Sequence, residues 1–365
     1  MFSDIYFGKK VLITGHTGFK GSWLCVWLLK LGAEVVGISD EVPTKPSMFE
    51  ELGVSKKINN ISADIRDLKT IKKIIKKEKP DFIFHLAAQA IVSKSYLDPV
   101  NTISTNVMGT LNILESLRDY EDECIAILIT SDKCYDNVEW VWGYKETDKI
   151  GGKDIYSGSK GAAELIIKSY FNSFFHNNHP VKLAIGRAGN VIGGGDWAKD
   201  RIIVDCVTSW SEGNSVNIRS PGATRPWQHV LEPLSGYLSL GQSLVFQPKL
   251  HGNAFNFGPK AEQNHTVVEL LEDLCKQWGF ESSSDAYQVI ENIPFHEAGL
   301  LKLNCDKALF YLKWDSNLEY SETIKLVGDW YYSYYQNQTD MYKLTLNQIE
   351  EYEKLALNRN KYWTK

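Results

Sequence analysis

Tyr156 and Lys160 stand four residues apart at the head of a helical stretch, Tyr156-Ser-Gly-Ser-Lys160 followed by Gly-Ala-Ala-Glu-Leu-Ile-Ile, so both side chains lie on one helix face. A lysine ammonium beside a phenol stabilises the phenolate, and a tyrosine of ordinary pKa about 10 becomes a base useful near neutrality. Upstream, the apolar run Cys124-Ile-Ala-Ile-Leu-Ile129 ends abruptly in Thr130, Ser131, Asp132 and Lys133. Such a run reads as a buried parallel strand, and ligands of an open α/β sheet sit beyond the carboxyl ends of its strands. A base, a hydroxyl, an acid and two cations are thereby expected around one site.

The elements that must position them begin at Val11-Leu-Ile-Thr14, a short strand followed at once by Gly15-His-Thr-Gly18-Phe-Lys-Gly21 and an apolar helix. Glycines in a strand-to-helix turn let backbone N–H groups and a helix N-terminus approach a pyrophosphate. Gly15, Thr17, Gly18, Phe19, Lys20 and Gly21 are therefore read as a dinucleotide site. A second strand over 34–39 puts Ser39 and Asp40 roughly 20 residues beyond the glycines, where an acidic group hydrogen-bonds an adenosine ribose. No arginine precedes Arg66, and Lys45 is the sole cation in the loop after the second strand. Nothing there neutralises a 2′-phosphate, which favours NAD over NADP.

Asp64 and Ile65, at the end of a third strand, are placed to frame the adenine. A fourth strand exits into Leu86, Ala87, Ala88 and Gln89, small enough for close cofactor approach, with Gln89 reaching the substrate as well. A helix over 100–117 carries Asn106, counted with the cofactor residues, its amide either at the surface or hydrogen-bonded to the neighbouring active-site strand. The helix over 68–79 bears six lysines above Ile71, Ile74 and Ile75 at helical spacing, which is a solvated face rather than a nucleic-acid site.

The chain has 365 residues, 43% apolar and 23% charged, with a net charge of −5. That balance gives no reason to expect nucleic acid or an anionic membrane as partner. Six scattered cysteines without a CxxC read as reduced thiols, with no disulfide framework and no metal site. The absence of a cleavable leader or of an apolar run near the ~18 residues of a spanning helix predicts a cytoplasmic protein.

Strand and helix alternate with short connections up to 186, the pattern of a doubly wound parallel sheet. Beyond 187 turn residues accumulate. The expected division is 1–186 with 235–262 as a dinucleotide-binding domain, and 187–234 with 263–365 as a smaller mixed α/β domain for substrate. Asn190, Arg201, Arg219, Arg225, His229 and His296 fall in the second part, a spread of cations and polar rings suited to a diphosphate and a base. The aromatic segment over 135–154 is read as a loop shaping the pocket, packed in place by Trp140 and Trp142. The aromatic tail reads as core or subunit packing.

The glycine fingerprint, Ser131, Tyr156-xxx-Lys160 and Arg187-xx-Asn190 resemble, in that order, the extended short-chain dehydrogenase/reductase family over nearly the whole chain. Longer strings, among them Thr130-Ser-Asp-Lys-Cys-Tyr-Asp-Asn137 and Ala188-Gly-Asn-Val-Ile-Gly-Gly-Gly-Asp-Trp197, resemble its nucleotide-sugar 4,6-dehydratase branch acting on CDP-glucose. The resemblance implies a Rossmann-type fold, tightly held NAD, and a 4-keto-6-deoxy product that feeds the dideoxyhexoses of bacterial O-antigens. It also implies a homodimer or dimer of dimers, paired through helices over 102–117 and 157–174.

By the same resemblance Tyr156, its pKa lowered by Lys160 and the nicotinamide charge, takes the proton of the sugar O4 while Ser131 hydrogen-bonds that oxygen. Asp132, as a carboxylic acid, then protonates the departing 6-hydroxyl. A free aspartate has a pKa near 3.9, so burial has to raise this one. Lys133 stands where related dehydratases carry a glutamate that takes the C5 proton. It is either that base, in neutral form, or a cation that stabilises the enolate. Three other readings compete: an epimerase or decarboxylase, which needs no acid for a leaving hydroxyl; a non-catalytic dinucleotide sensor, which would not need the Tyr/Lys pair; and a carbonyl reductase, which would not need so large a C-terminal part.

Overall fold

Strands buried on both faces need apolar residues at successive positions, and the chain supplies such runs. In the computed structural model, which describes every residue except 177, 219, 220, 261, 281, 291–299 and 337–339, they form β1 (Lys10–Thr14), β2 (Glu34–Ser39), the more polar edge strand β3 (Asn59–Ser62), β4 (Phe82–His85), β5 (Cys124–Ile129), β6 (Val181–Ala188) and β7 (Ala254–Phe257). All pair in parallel in the order β7-β6-β5-β4-β1-β2-β3. The order reverses between β1 and β4, and a crevice opens there above the carboxyl ends of the strands.

Period-two alternation splits the apolar side chains between two cores. Val11, Ile13, Phe84 and Ile127 face one, with Trp23, Trp27 and Leu28 of α1 (Phe19–Lys30). Leu12, Ile83 and Leu128 face the other, with Ile71 and Ile75 of α2 (Leu68–Glu78), Ile113 and Leu117 of α3 (Gly109–Arg118), and Ile167 of α4 (Ile155–Tyr170). The first core also takes Leu234 and Leu238 of α5 (Leu231–Phe246), and Ile349 and Tyr352 of α6 (Met341–Asn358). Trp27 Nε1 donates to Glu353 Oε1 at 2.8 Å, so α6 packs directly on the helix that follows the glycine turn.

The helix expected over 100–117 forms as Pro99–Ile103, a π-helical turn Ser104–Met108 and α3. Beyond β6 the ladders are short: Val191–Ile192 with Gln228–His229, Thr224–Arg225 with His265–Thr266, and Val216–Ile218 with Tyr287–Val289. The segment after β6 is tied to the core where Trp23 Nε1 donates to Gly194 O at 2.9 Å and Asp196 N donates to the Tyr331 hydroxyl at 3.1 Å.

Candidate active site

A cleft of about 1570 Å³ runs along the carboxyl edge of the sheet, with the glycine turn on one wall and residues 188–205 on the other. The turn is tight because no side chain fits within it. A Cβ on Gly15, whose φ is +75°, would stand 2.7 Å from Ala87 N, and one on Gly21 would stand 2.2 Å from Gly15 O. Gly18 is the N-cap of α1 and supplies no capping side chain, so the first N–H groups of that helix are left for a ligand. These residues make a cradle for a pyrophosphate.

Gly15, Thr17, Gly18, Phe19, Lys20, Gly21, Ser39, Asp40, Ile65, Leu86, Ala87, Ala88 and Gln89 all line the cleft. Thr17 Oγ1 donates to Glu41 O at 2.6 Å, fixing the turn against the end of β2. Ile65 packs on Gly109, where a Cβ would come within 2.3 Å of its Cδ1. The Gln89 amide is already engaged, donating to Thr102 Oγ1 at 2.9 Å and accepting from Ile91 N at 2.6 Å.

Asp64 is a correction. It turns from the cleft to receive the Arg66 guanidinium, with Nη2 at 2.6 Å, and the Arg66 backbone N–H at 2.8 Å. Arg66 lines the cleft instead. Its charge is spent on Asp64 and on an acceptor oxygen of Asn101. Asn106 is a second correction as a cofactor residue, and of its other two readings, surface amide or structural hydrogen bond, the structure shows the latter: it is buried, accepts from Gln89 N at 2.8 Å, and donates to Gln89 O at 3.0 Å and Ser159 Oγ at 2.8 Å. It braces the β4 exit loop against α4 and does not itself face the cleft.

Asp154 caps α4, accepting from Ser157 N at 2.9 Å, and sets Tyr156 and Lys160 on the cleft side. The Tyr156 phenol is hydrogen-bonded to the Ser131 hydroxyl. Burial pushes this phenol up to about 12, outweighing the Ser131 bond, while the Asp132 charge works in the same direction as burial. The opposing cation is Arg201. Burial also pushes the Lys160 ammonium down to about 8, against the Glu164 charge.

Ser131 Oγ donates to Asp132 Oδ1 at 2.9 Å and accepts from Lys133 N at 3.2 Å. Burial raises the Asp132 carboxyl above the ordinary carboxylate range, opposed by the Lys133 charge, the Ser131 hydroxyl and Lys20. Lys133 is half-buried and lines the same cleft. Hydroxyl, acid, cation and phenol therefore converge at the end of β5.

Asn190, Arg201 and Arg225 line the opposite wall. Arg201 Nη1 lies 2.6 Å from Asp196 Oδ2, and Arg225 Nη1 donates to Thr224 O at 2.9 Å. His229 is a third correction. It is fully buried against Trp23, ring centroids 5.6 Å apart, accepts from Leu231 N at 3.3 Å, and stands behind the cleft wall. Burial pushes it down to about 3, so it is neutral. Arg219 and His296 lie outside the described residues.

Asn137 and Glu139, in the aromatic loop read as shaping the pocket, line the cleft although neither is singled out in the sequence as a site residue. The Tyr144 hydroxyl donates to Asn137 Oδ1 at 3.0 Å, and Trp140 packs on the Tyr144 ring. Below the site, Arg187 and Glu164 form a buried bidentate pair, Nε–Oε1 and Nη2–Oε2 both 2.8 Å. Thr130 donates to the same carboxylate, and Tyr135 links Arg187 at 2.7 Å to Asn256 at 2.8 Å. This network clamps β5, α4, β6 and β7 into one platform. A lone carboxylate on the apolar face of α4 was the available clue, since a buried charge demands a partner.

A parallel sheet with a glycine turn at its switch point, and a Ser/Tyr/Lys set across the crevice from it, define the extended short-chain dehydrogenase/reductase class. The chain belongs to the family described as GDP-mannose 4,6 dehydratase, whose model matches residues 12–327. It is 44% identical over 351 residues to CDP-glucose 4,6-dehydratase of Salmonella typhimurium, covering 94% of this chain and 96% of that one. It is 30% identical to CDP-paratose 2-epimerase of Salmonella typhi, over 73% of this chain and 84% of that one. Among solved structures, dTDP-glucose 4,6-dehydratase of Streptomyces venezuelae with NAD bound superposes with a TM-score of 0.76 at 19% identity, covering 91% of this chain and 99% of that one. At that identity the likeness is one of fold.

Proposed function

We propose that the protein is an NAD-dependent hydro-lyase that converts CDP-glucose to CDP-4-dehydro-6-deoxyglucose. The observation that carries this reading is Asp132, a buried carboxyl driven toward its protonated form and joined through the Ser131 hydroxyl to the Tyr156 phenol. An epimerase or decarboxylase uses the Tyr/Lys pair but has no leaving hydroxyl to protonate. CDP-glucose as the sugar is supported by the 44% identity to the Salmonella typhimurium enzyme.

The Gly15–Gly21 cradle, the uncapped start of α1, Ser39, Asp40 and Ile65 suit NAD, and the Asp64–Arg66 pair leaves that cation spent rather than free for a 2′-phosphate. When bound, NAD supplies hydride acceptance at C4 and return at C6. Tyr156 takes the O4 proton as phenolate, which positive charge brought into the cleft favours by drawing down the raised phenol. Ser131 hydrogen-bonds the same oxygen. Asp132 gives its proton to the departing C6 oxygen, and Lys133, beside it, either takes the C5 proton or steadies the enolate. Arg201 and Arg225, on the opposite wall, suit the diphosphate.

The test is incubation with CDP-glucose, UDP-glucose, dTDP-glucose and GDP-mannose in deuterated water, read by mass spectrometry. Loss of water from CDP-glucose with one deuteron at C5 is expected. Conversion without mass loss would make the protein an epimerase, and no conversion would remove the assignment.

The same reading divides the chain into a dinucleotide-holding part, 1–186 with 235–262, and a sugar-holding part, 187–234 with 263–365, supported by a cleft walled from both. It includes a homodimer or dimer of dimers, supported by apolar side chains left outward on the helices around 97–108 and on α4: Leu97 is 86% and Val100 77% exposed, and Leu165 is exposed too. Cytoplasmic residence is supported by free cysteines, five of them buried. Among the described residues no helix is long and apolar enough to cross a membrane. A role in O-antigen deoxysugar supply is part of the same reading and rests on the family resemblance alone.

A further inference from the structure

Thr130 and Tyr135 bracket the turn that carries Ser131, Asp132 and Lys133, and both are hydrogen-bonded to one buried ion pair. Thr130 Oγ1 donates to Glu164 Oε1 at 2.5 Å, and Arg187 Nη1 donates to the Tyr135 hydroxyl at 2.7 Å. Glu164 and Arg187 are joined to each other by two bonds of 2.8 Å. Their side chains are 3% and 4% exposed, and neither is in the wall of the cleft. Stability alone does not call for such a pair. Apolar side chains of similar volume often hold a fold as well or better, whereas a bidentate guanidinium–carboxylate contact fixes direction.

The direction fixed here links the two halves of the site. Glu164 lies one helical turn beyond Lys160 and two beyond Tyr156, so the carboxylate that receives Thr130 stands on the helix of the Tyr/Lys pair. At the other end of the turn Tyr135 stacks on Tyr144, ring centroids 5.1 Å apart, and its hydroxyl donates to Asn256 Oδ1 at 2.8 Å. Between these anchors Lys133 N donates to Ser131 Oγ at 3.2 Å, Cys134 N to Ser131 O at 3.1 Å and Tyr135 N to Asp132 O at 3.3 Å. Gly151 N adds a backbone tie to Cys134 O at 2.9 Å.

We propose that Glu164 and Arg187 are positioning residues for the elimination step, holding Asp132 and Lys133 in register with Tyr156 and Lys160 through Thr130 and Tyr135. This rests on the dehydratase reading above. In that step the enolate electron pair forms the C5=C6 bond, the C6–O bond breaks with its own pair, and the Asp132 proton joins the departing oxygen, released as water. An acid displaced by about 1 Å loses on the order of 10²-fold in rate. Hydride transfer depends less on the turn. Tyr156 and Lys160 are set by α4, and Ser131 directly follows the ladder bond from Thr130 N to Gly186 O at 2.9 Å.

Removing either charged partner strands the other in the core, so the test keeps the pair and removes its two links. Wild type is compared with Thr130→Val, Tyr135→Phe and the hydroxyl-preserving Thr130→Ser. In single turnovers of the NAD-loaded protein with CDP-glucose, Thr130→Val and Tyr135→Phe are expected to reduce the cofactor within about threefold of the wild-type rate and to reoxidise it about tenfold more slowly. Absorbance at ~340 nm therefore builds up, and KM changes less than about threefold. Thr130→Ser behaves as wild type. Equal slowing of both phases, slowing of neither, or a loss in Thr130→Ser equal to that in Thr130→Val overturns the proposal. Hydrogen exchange, read by mass spectrometry without substrate, separates this from the choice of reaction. Amides of the 131–135 turn are expected to exchange at least about fivefold faster in Thr130→Val and Tyr135→Phe, with those of α4 unchanged. Unchanged exchange in the turn, or equal acceleration in α4, refutes the positioning role even if CDP-glucose is dehydrated. If wild type dehydrates none of the sugars, the dehydratase reading fails while the exchange result still decides whether the pair holds the turn.

Discussion

Gly189 lies so close to Asp132 that a Cβ on it would stand 1.9 Å from Asp132 Oδ2 and 2.1 Å from Cγ. The glycine is there to let the carboxyl occupy the end of β5. Gly189→Ala is therefore expected to fold, because the end of a short side chain can swing away, and to lose the acid. Water loss should drop by about 10²–10³ in kcat. Rapid-scan absorbance should still show cofactor reduction by the sugar. An unaltered kcat would mean that Asp132 does not act from this position.

Asp132 also couples activity to stability. Burial raises its pKa in the folded chain above the unfolded value, so the folded state holds the proton more tightly. The group's contribution is fully present at low pH and is lost as pH rises through the raised value. Asp132→Asn should thus abolish dehydration yet stabilise the fold at pH 8, on the order of 1 kcal/mol, with no gain below pH ~4. Urea melts at the two pH values check this, and an equal change at both would refute it.

What the sequence made legible follows from where signals are local. Buried parallel strands leave apolar runs, so β1, β2, β4, β5 and β6 stood out, and Tyr156 with Lys160 share a face by helical arithmetic alone. Asp64, Asn106 and His229 were misread because a polar side chain near a predicted site carries no mark of which way it turns. Arg66, two residues from Asp64, decides the first. Ser159 and Gln89, from other elements, decide the second, and the packing of Trp23 decides the third. Tyr156 shows the same limit in its energetics, since only the fold reveals that burial raises the phenol.

Cofactor choice should depend on a residue pair rather than on one position. Arg66 lines the cleft, but its guanidinium is bound by both oxygens of Asp64, with Nε at 2.9 and 2.8 Å. Asp64→Ala frees that cation near Asp40 and Glu41, whose charges act on it. NADP binding should tighten about tenfold relative to NAD, the scale of one charge-assisted contact to phosphate. Isothermal titration with both nucleotides reads the ratio. No change in the ratio would show that Asp40, not the Asp64–Arg66 pair, sets the preference.

The buried histidines predict acid lability, and His229 separates that effect from catalysis. Burial pushes His229 down to about 3, and burial with the Lys160 charge does the same to His85. Both values lie below the unfolded 6.5, so between pH 6.5 and about 3 the unfolded chain binds protons that the folded chain refuses. Stability is fully present above pH 6.5 and falls as the pH drops through this window, by about 1.4 kcal/mol per pH unit for each histidine. His229 Nε2 finds no hydrogen-bond partner among the described residues, and its ring already packs edge-on to Trp23. His229→Phe keeps the ring contact and removes the titration. Denaturant melts from pH 7 to pH 4 should then show about half the wild-type loss of stability attributable to these two groups. At pH 7.5 kcat/KM should stay within about twofold of wild type, as for a residue that does not touch substrate. A large rise in KM would return His229 to the substrate site.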